Sequence, residues 1–173
     1  MIGCGCSVCT SQDPRNQRYR CSVVLGLPQG NLLIDTTPDL RSQLLREGIG
    51  IVHAVLYTHE HADHLFGLDD LRLMQFYLDG PVPLYCEPDV EKRIRQSFSY
   101  AFGPPANIHA GGVPRLEIHS ITSETFSACG ADILPIRLQH GPNFVVFGFR
   151  IGNIAYCTDT NGIPPESMDK MMG

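Results

Sequence analysis

The sequence predicts the α/β (α+β) fold class, and three observations carry that reading. Apolar runs of strand length alternate with stretches whose apolar residues recur at helical intervals. Turn residues punctuate the boundaries between them. The costliest polar side chains cluster where strands end, a place that packing alone does not explain. With 173 residues, 43% of them hydrophobic, the chain can bury one sizeable core, and a single domain over residues 1–173 is the simplest expectation.

Gly3-Cys4-Gly5-Cys6-Ser7-Val8-Cys9 opens the chain with three thiols in one tight turn. C-x-C-x-x-C with flanking glycines suits a structural zinc that needs a fourth ligand, with unliganded or redox-active thiols as the alternative. Residues 13–20 form a polar loop containing Arg15, Arg18 and Arg20, either a phosphate contact or a solvated segment, the latter favoured. Residues 21–26 and 31–35 read as strands of a hairpin turned by Pro28-Gln29-Gly30-Asn31. Asp35 at its end is read as a capping or turn residue before a metal-supporting one.

Thr37-Pro38-Asp39 predicts a helix start with Thr37 as N-cap, and Leu40, Leu44 and Leu45 supply its buried stripe up to Gly48. Ala54-Val55-Leu56-Tyr57 is a buried strand, with His53 before it read as structural. Residues 65–77 and 88–102 are predicted helices, separated by a short strand over 81–86. The Gly/Pro-rich stretch 103–114 is a loop of the kind that forms lids, and its His109 is read as solvated. Strands are expected at 116–121, 133–139, 143–151 and 153–158, with Gly152-Asn153 turning the last pair, and His119 on the surface. A helix starts at Pro164-Pro165.

Chemistry concentrates in Thr58-His59-Glu60-His61-Ala62-Asp63-His64, directly after a core strand. His59 and His61 alternate and can reach one ion from one side of an extended loop, while Asp63 and His64 face a second. Imidazole and carboxylate donors suit Zn, and also Mn or Fe. A merely polar loop would be enriched in histidine without the H-x-H-x-D-H spacing.

This segment resembles the signature of the metallo-β-lactamase-fold hydrolases, and its continuation Gly67-Leu68-Asp69-Asp70-Leu71-Arg72 is most similar to the PhnP-type cyclic phosphate phosphodiesterases. The resemblance implies a four-layer αβ/βα sandwich with two metal ions at one edge between two sheets. It implies that His59, His61 and His140 hold the first ion, Asp63 and His64 the second, and Asp159 bridges them. His140 and Asp159 each fall at the end of an expected strand, in the order the resemblance requires. It further implies a structural zinc on Cys4, Cys6 and Cys9, completed in relatives by a histidine near their C-terminus. Relatives also have an earlier strand and, later, a helix, a strand and a final histidine pair. The expectation is therefore a chain truncated at both ends; on the alternative reading as a metal-binding fragment it would hold about one metal tightly and be poorly active. Exposed sheet edges would then favour association, a homodimer included.

The expected activity is metal-dependent hydrolysis of a small, cyclic phosphodiester through a metal-bridging hydroxide, with Asp63 orienting it. The cofactors implied are two divalent ions, Zn or Mn. The rival is RNA 3′-end processing of the tRNase Z kind. A net charge of −5 and only two lysines, Lys92 and Lys170, disfavour a nucleic-acid partner. A metal-binding fragment with little activity is the alternative outside enzymology. No run of eighteen apolar residues and no signal-like N-terminus occur, so the expected setting is the cytoplasm, without a membrane partner. Seven scattered and clustered cysteines suit ligation and buried thiols better than a disulfide framework.

Overall fold

A computed structural model describes residues 2–103, 109 and 111–172. β1 (Val23–Leu27) and β2 (Gly30–Ile34) form the expected hairpin. After α1 (Leu40–Glu47), β3 (Ala54–Leu56), β4 (Val82–Cys86) and β5 (Leu116–Ser120) add in parallel, giving a five-stranded sheet in the order β1-β2-β3-β4-β5. A second, antiparallel sheet runs β6 (Phe126–Ala128), β7 (Ala131–His140), β8 (Phe144–Ile151) and β9 (Ile154–Tyr156).

Strand periodicity sorts the core. Leu33 and Val55 face one way, against Leu40, Leu44, Leu68, Leu71, Val90 and Ile94 of the helical layer. Their neighbours Leu32, Ile34, Ala54 and Leu56 face the other way, against Ile133, Phe147, Phe149 and Ile151 of the second sheet. On the outer side of that sheet, α5 (Pro165–Met172) packs along β7, with Met171 on Ile136, Leu138 and Val146. The result is the helix, sheet, sheet, helix stack expected of the four-layer sandwich. Among the described residues, no helix is long and apolar enough to cross a membrane.

The departures are local and have causes. The helix expected over 65–77 is broken into α2 (Ala62–Leu65), a 3-10 segment (Leu68–Leu73) and α3 (Gln75–Leu78). Gly67 interrupts it by donating its N–H to the Thr36 carbonyl at 2.9 Å, and a Cβ there would collide with the carbonyl of Thr37. The chain thereby clamps the metal-motif loop onto the segment after β2. α1 begins at Leu40, and Thr37 instead caps the preceding turn by accepting from the Asp39 N–H at 3.2 Å. α4 (Pro88–Ser97) stops short of 102, giving way to a 3-10 turn over Ser99–Ala101. β6 had no apolar alternation to announce it. His53 is structural as expected, its Nδ1 accepting from the Asn31 N–H at 2.9 Å, and its ring lies against Gly30. Of the 103–114 loop, 104–108 and 110 lie outside the described residues; His109 is exposed.

Candidate metal centre

The ends of β2, β3, β7 and β9 lie at one edge of the two facing sheets; they bring His59, His140 and Asp159 to one centre and set Asp35 behind it. Side chains at strand ends are aimed by the sheet and yet free of its ladder, which is why ligands gather there in α/β architectures. The short α2 adds His64, and the loop between β3 and α2 adds His61.

Two donor groups result. His59, His61 and His140 bring one ring nitrogen each to within 4.8 Å of one another, and a His64 ring nitrogen, an Asp159 carboxylate oxygen and the Cys21 sulfur form a second such group. In the first, His61 Nδ1 is 3.0 Å from His59 Nε2 and 3.4 Å from His140 Nε2. Nitrogens ~2.0–2.1 Å from a tetrahedral zinc stand roughly 3.3–3.4 Å apart, so the trio fits such an ion after tenths of an ångström of adjustment. His64 Nε2 lies 3.3 Å from Asp159 Oδ2. Asp63 stands at the rim: its carboxylate is half-exposed, 3.7 Å from His64 Nε2, and it belongs to neither trio.

A buried network behind the histidines fixes their tautomers. Asp35, fully buried, accepts the Thr58 N–H at 2.9 Å, the Thr58 hydroxyl at 2.8 Å and His64 Nδ1–H at 2.8 Å. Thr58 has then given away its only hydroxyl hydrogen, so at 2.9 Å its oxygen accepts from His59 Nδ1–H. Both His59 and His64 are left with Nε2 facing the pocket, the arrangement a metal-binding imidazole needs. Asp35 has a left-handed backbone, φ 63°, a strained choice for a residue other than glycine that turns its carboxylate inward. The capping or turn role expected of it is corrected here: it is the hub of the network. Cys21 also escaped the sequence reading, because nothing near it in the chain has ligand spacing.

Electrostatics agree with a neutral His59 and an anionic Asp159. Burial, with His64 and His61 nearby, pushes His59 down to about 3. Burial opposes ionisation of Asp159, but the Thr158 hydroxyl and the imidazoles of His64 and His59 outweigh it and hold its carboxyl below the usual range. Burial pushes Asp35 up against the pull of His64 and Thr58.

The N-terminal turn forms a separate group, with the sulfurs of Cys4, Cys6 and Cys9 within 4.8 Å of one another. Hydrogen bonding from the Cys9 backbone, then from the Cys4 and Cys9 thiols, brings Cys6 down to about 7, within reach of the thiolate at neutral pH. The arginine loop is committed elsewhere: Arg15 pairs with Asp13 at 2.7 Å and Arg20 with Asp39 at 3.0 Å, in line with the solvated reading.

Residues 30–173 match the beta-lactamase superfamily domain. The chain belongs to that superfamily. Superfamily folds of this metallo type bind divalent metals, and this member has a histidine cluster able to hold one. Its fold superposes on a diphosphatase from the PhnP family with a TM-score of 0.87 and 39% identity, over 98% of this chain and 63% of that one. It is 35% identical over 170 residues to an octanoyltransferase of Porphyromonas gingivalis, covering 97% of this chain and 33% of that protein. The short form of human tRNase Z shares the fold, with a TM-score of 0.60 at 20% identity over 89% of this chain and 70% of the other. This superfamily member thus spans about a third of its curated relative and under two-thirds of its PhnP-family neighbour.

Proposed function

We propose that the chain carries the catalytic centre of a metal-dependent hydrolase that cleaves a small, cyclic phosphodiester. The observation that carries this reading is the convergence of His59, His61 and His140 beside His64 and Asp159, with tautomers set from behind by Asp35 and Thr58. The likeness to the PhnP-family diphosphatase supports phosphorus chemistry. The octanoyl-transfer name belongs to a protein of which this chain matches a third, so it does not redirect the reading.

In this proposal His59, His61 and His140 would hold one divalent ion, Zn or Mn, and His64, Asp63 and Asp159 would hold a second. Bound there, such ions would supply a nucleophile at neutral pH and offset the charge that develops on the phosphoryl oxygens. Asp35 and Thr58 keep the imidazoles in their ligating orientation, so that no rotamer has to be found when the centre fills. Asp63, half-exposed beside His64, orients the attacking water and accepts its proton. Next to His61 lies a cavity of about 380 Å³ lined by Glu60, Ala62, Phe66, Arg93 and Phe144. That size suits a small ligand. Phe66 and Phe144 provide apolar walls and Arg93 a charge for a phosphate oxygen. A net charge of −5 offers little general attraction for an RNA backbone.

The test offers purified, metal-loaded protein a cyclic ribose phosphate, a tRNA precursor and a chromogenic β-lactam. Cleavage of the cyclic phosphate is expected. Hydrolysis of the lactam alone would overturn the proposal, and cleavage of the tRNA precursor alone would move it to the RNA-processing branch. The structural zinc on Cys4, Cys6 and Cys9 belongs to the same proposal, and metal analysis of the Cys6→Ser variant checks it.

A further inference from the structure

The thiol of Cys21 is the one donor at the centre that neither the sequence motif nor the proposed ligand set uses. We propose that Cys21 is a thiolate ligand of the second metal position, forming with His64 and Asp159 a sulfur-containing set that selects zinc over manganese. This rests on the reading of the centre as a metal site.

Four observations point there. Cys21 Sγ, a His64 ring nitrogen and an Asp159 oxygen lie within 4.8 Å of one another, the spread of ligands around one ion. His64, 1% exposed, has spent Nδ1–H on Asp35, and its Nε2 faces Asp159 Oδ2 at 3.3 Å and Asp63 Oδ2 at 3.7 Å. A buried ring nitrogen between two carboxylates calls for a cation, a proton or a metal. Cys21 is held in place: the Ser22 hydroxyl lies 2.9 Å from each of the carbonyls of Ile34 and Asp35, which fixes the approach to β1 against the end of β2. Finally, Cys21 is exposed, unlike a cysteine used as a small core hydrophobe, and so its place is not explained by packing.

The proton inventory is consistent. Thr158 gives its hydroxyl hydrogen to Asp159 Oδ1 at 2.8 Å, so the 3.1 Å contact between Cys21 Sγ and Thr158 Oγ1 uses the S–H hydrogen. When a cation binds, the S–H bond breaks, its proton passes to solvent and a sulfur–metal bond replaces it. Thiolate is a soft donor that favours zinc, whereas manganese favours oxygen and nitrogen sets.

Trypsin cleaves after Arg20 and Arg41, so the peptide 21–41 carries Cys21 and no other cysteine. The whole chain, with and without saturating zinc, is treated with iodoacetamide, and labelling of that peptide is followed by mass spectrometry beside the metal count. Zinc is expected to slow labelling about tenfold or more. In parallel, wild type and Cys21→Ser are saturated with cobalt. The sulfur-to-cobalt charge-transfer absorbance should be weaker in the variant, and since Cys4, Cys6 and Cys9 are common to both, the difference reports Cys21 alone. Unchanged labelling in protein that has bound metal at the histidines overturns the ligand assignment, and so does slowed labelling with identical cobalt spectra, which would mean a shielded thiol. Equal metal counts in His59→Ala and wild type would instead sink the metal centre itself, a distinguishable result.

Discussion

The histidine centre and the cysteine turn both gather three donors within 4.8 Å, but they are built in opposite ways. Cys4, Cys6 and Cys9 come from six consecutive residues, held by local bonds such as Thr10 N–H to the Cys6 carbonyl at 3.1 Å, and all three lie at the surface or near it. The histidine centre draws on four strand ends from two sheets, with the imidazoles of His64 and, through Thr58, His59 aimed by a carboxylate that is itself fully buried. The turn is organised by the ion it would hold, whereas the fold prepares the centre beforehand. The first should lose its order with its metal, and the second should keep its geometry empty.

Removing one imidazole of the centre is the largest blow to this comparison. His59→Ala takes away a nitrogen that is already oriented, and hydrolysis is expected to fall by roughly 10²–10³-fold or more. Metal analysis should show a loss at the centre, with the cysteine turn still occupied. The strands meet without the His59 side chain, so circular dichroism should remain that of the wild type. A global loss of structure would mean that the centre is not preformed.

Asp35→Asn comes next. The amide keeps the shape of the carboxylate but offers a single acceptor oxygen to the two Thr58 donors and His64, leaving one buried donor unsatisfied. Metal affinity at the centre should drop about 10–100-fold. Stability should fall by about 1–3 kcal/mol, measured by denaturant unfolding of the metal-free chain. An unchanged affinity would show that Asp35 does not orient His64.

How much of this could be read in the chain follows the same division. The cysteine turn and the run from His59 to His64 are legible because their donors are sequence neighbours, and His140 and Asp159 become legible only because the resemblance calls for ligands in that order at strand ends. Asp35 is legible only as the lesser of two readings, and Cys21 not at all. Each touches His64 or Asp159 across more than a score of residues, and what marks them is a hydrogen bond or a sulfur distance that exists only after the hairpin packs on β3 and β9. The four-layer stack follows from the resemblance; the continuous apolar runs of β2 and β3 agree with it but do not produce it alone. The break in the 65–77 helix does not, since Gly67 matters through its close approach to Thr36 and Thr37, a tertiary contact that helical periodicity does not encode.

Cys6→Ser, the smallest effect expected, sharpens the contrast from the other side. The turn buries little, the Cys6 sulfur is met by the turn's own backbone, and the hydrogen bonds that aim His59 and His64 come from Asp35 and Thr58, not from residues 4–9. Loss of one sulfur should therefore empty the turn, loosen residues 3–10 to proteolysis, and leave the metal at the histidines and the rate of hydrolysis close to wild type. The readouts are metal count, limited proteolysis and turnover on one preparation. If turnover falls as far as in His59→Ala while the histidine metal stays bound, the turn supports the reaction as well as the structure, and the two regions are coupled.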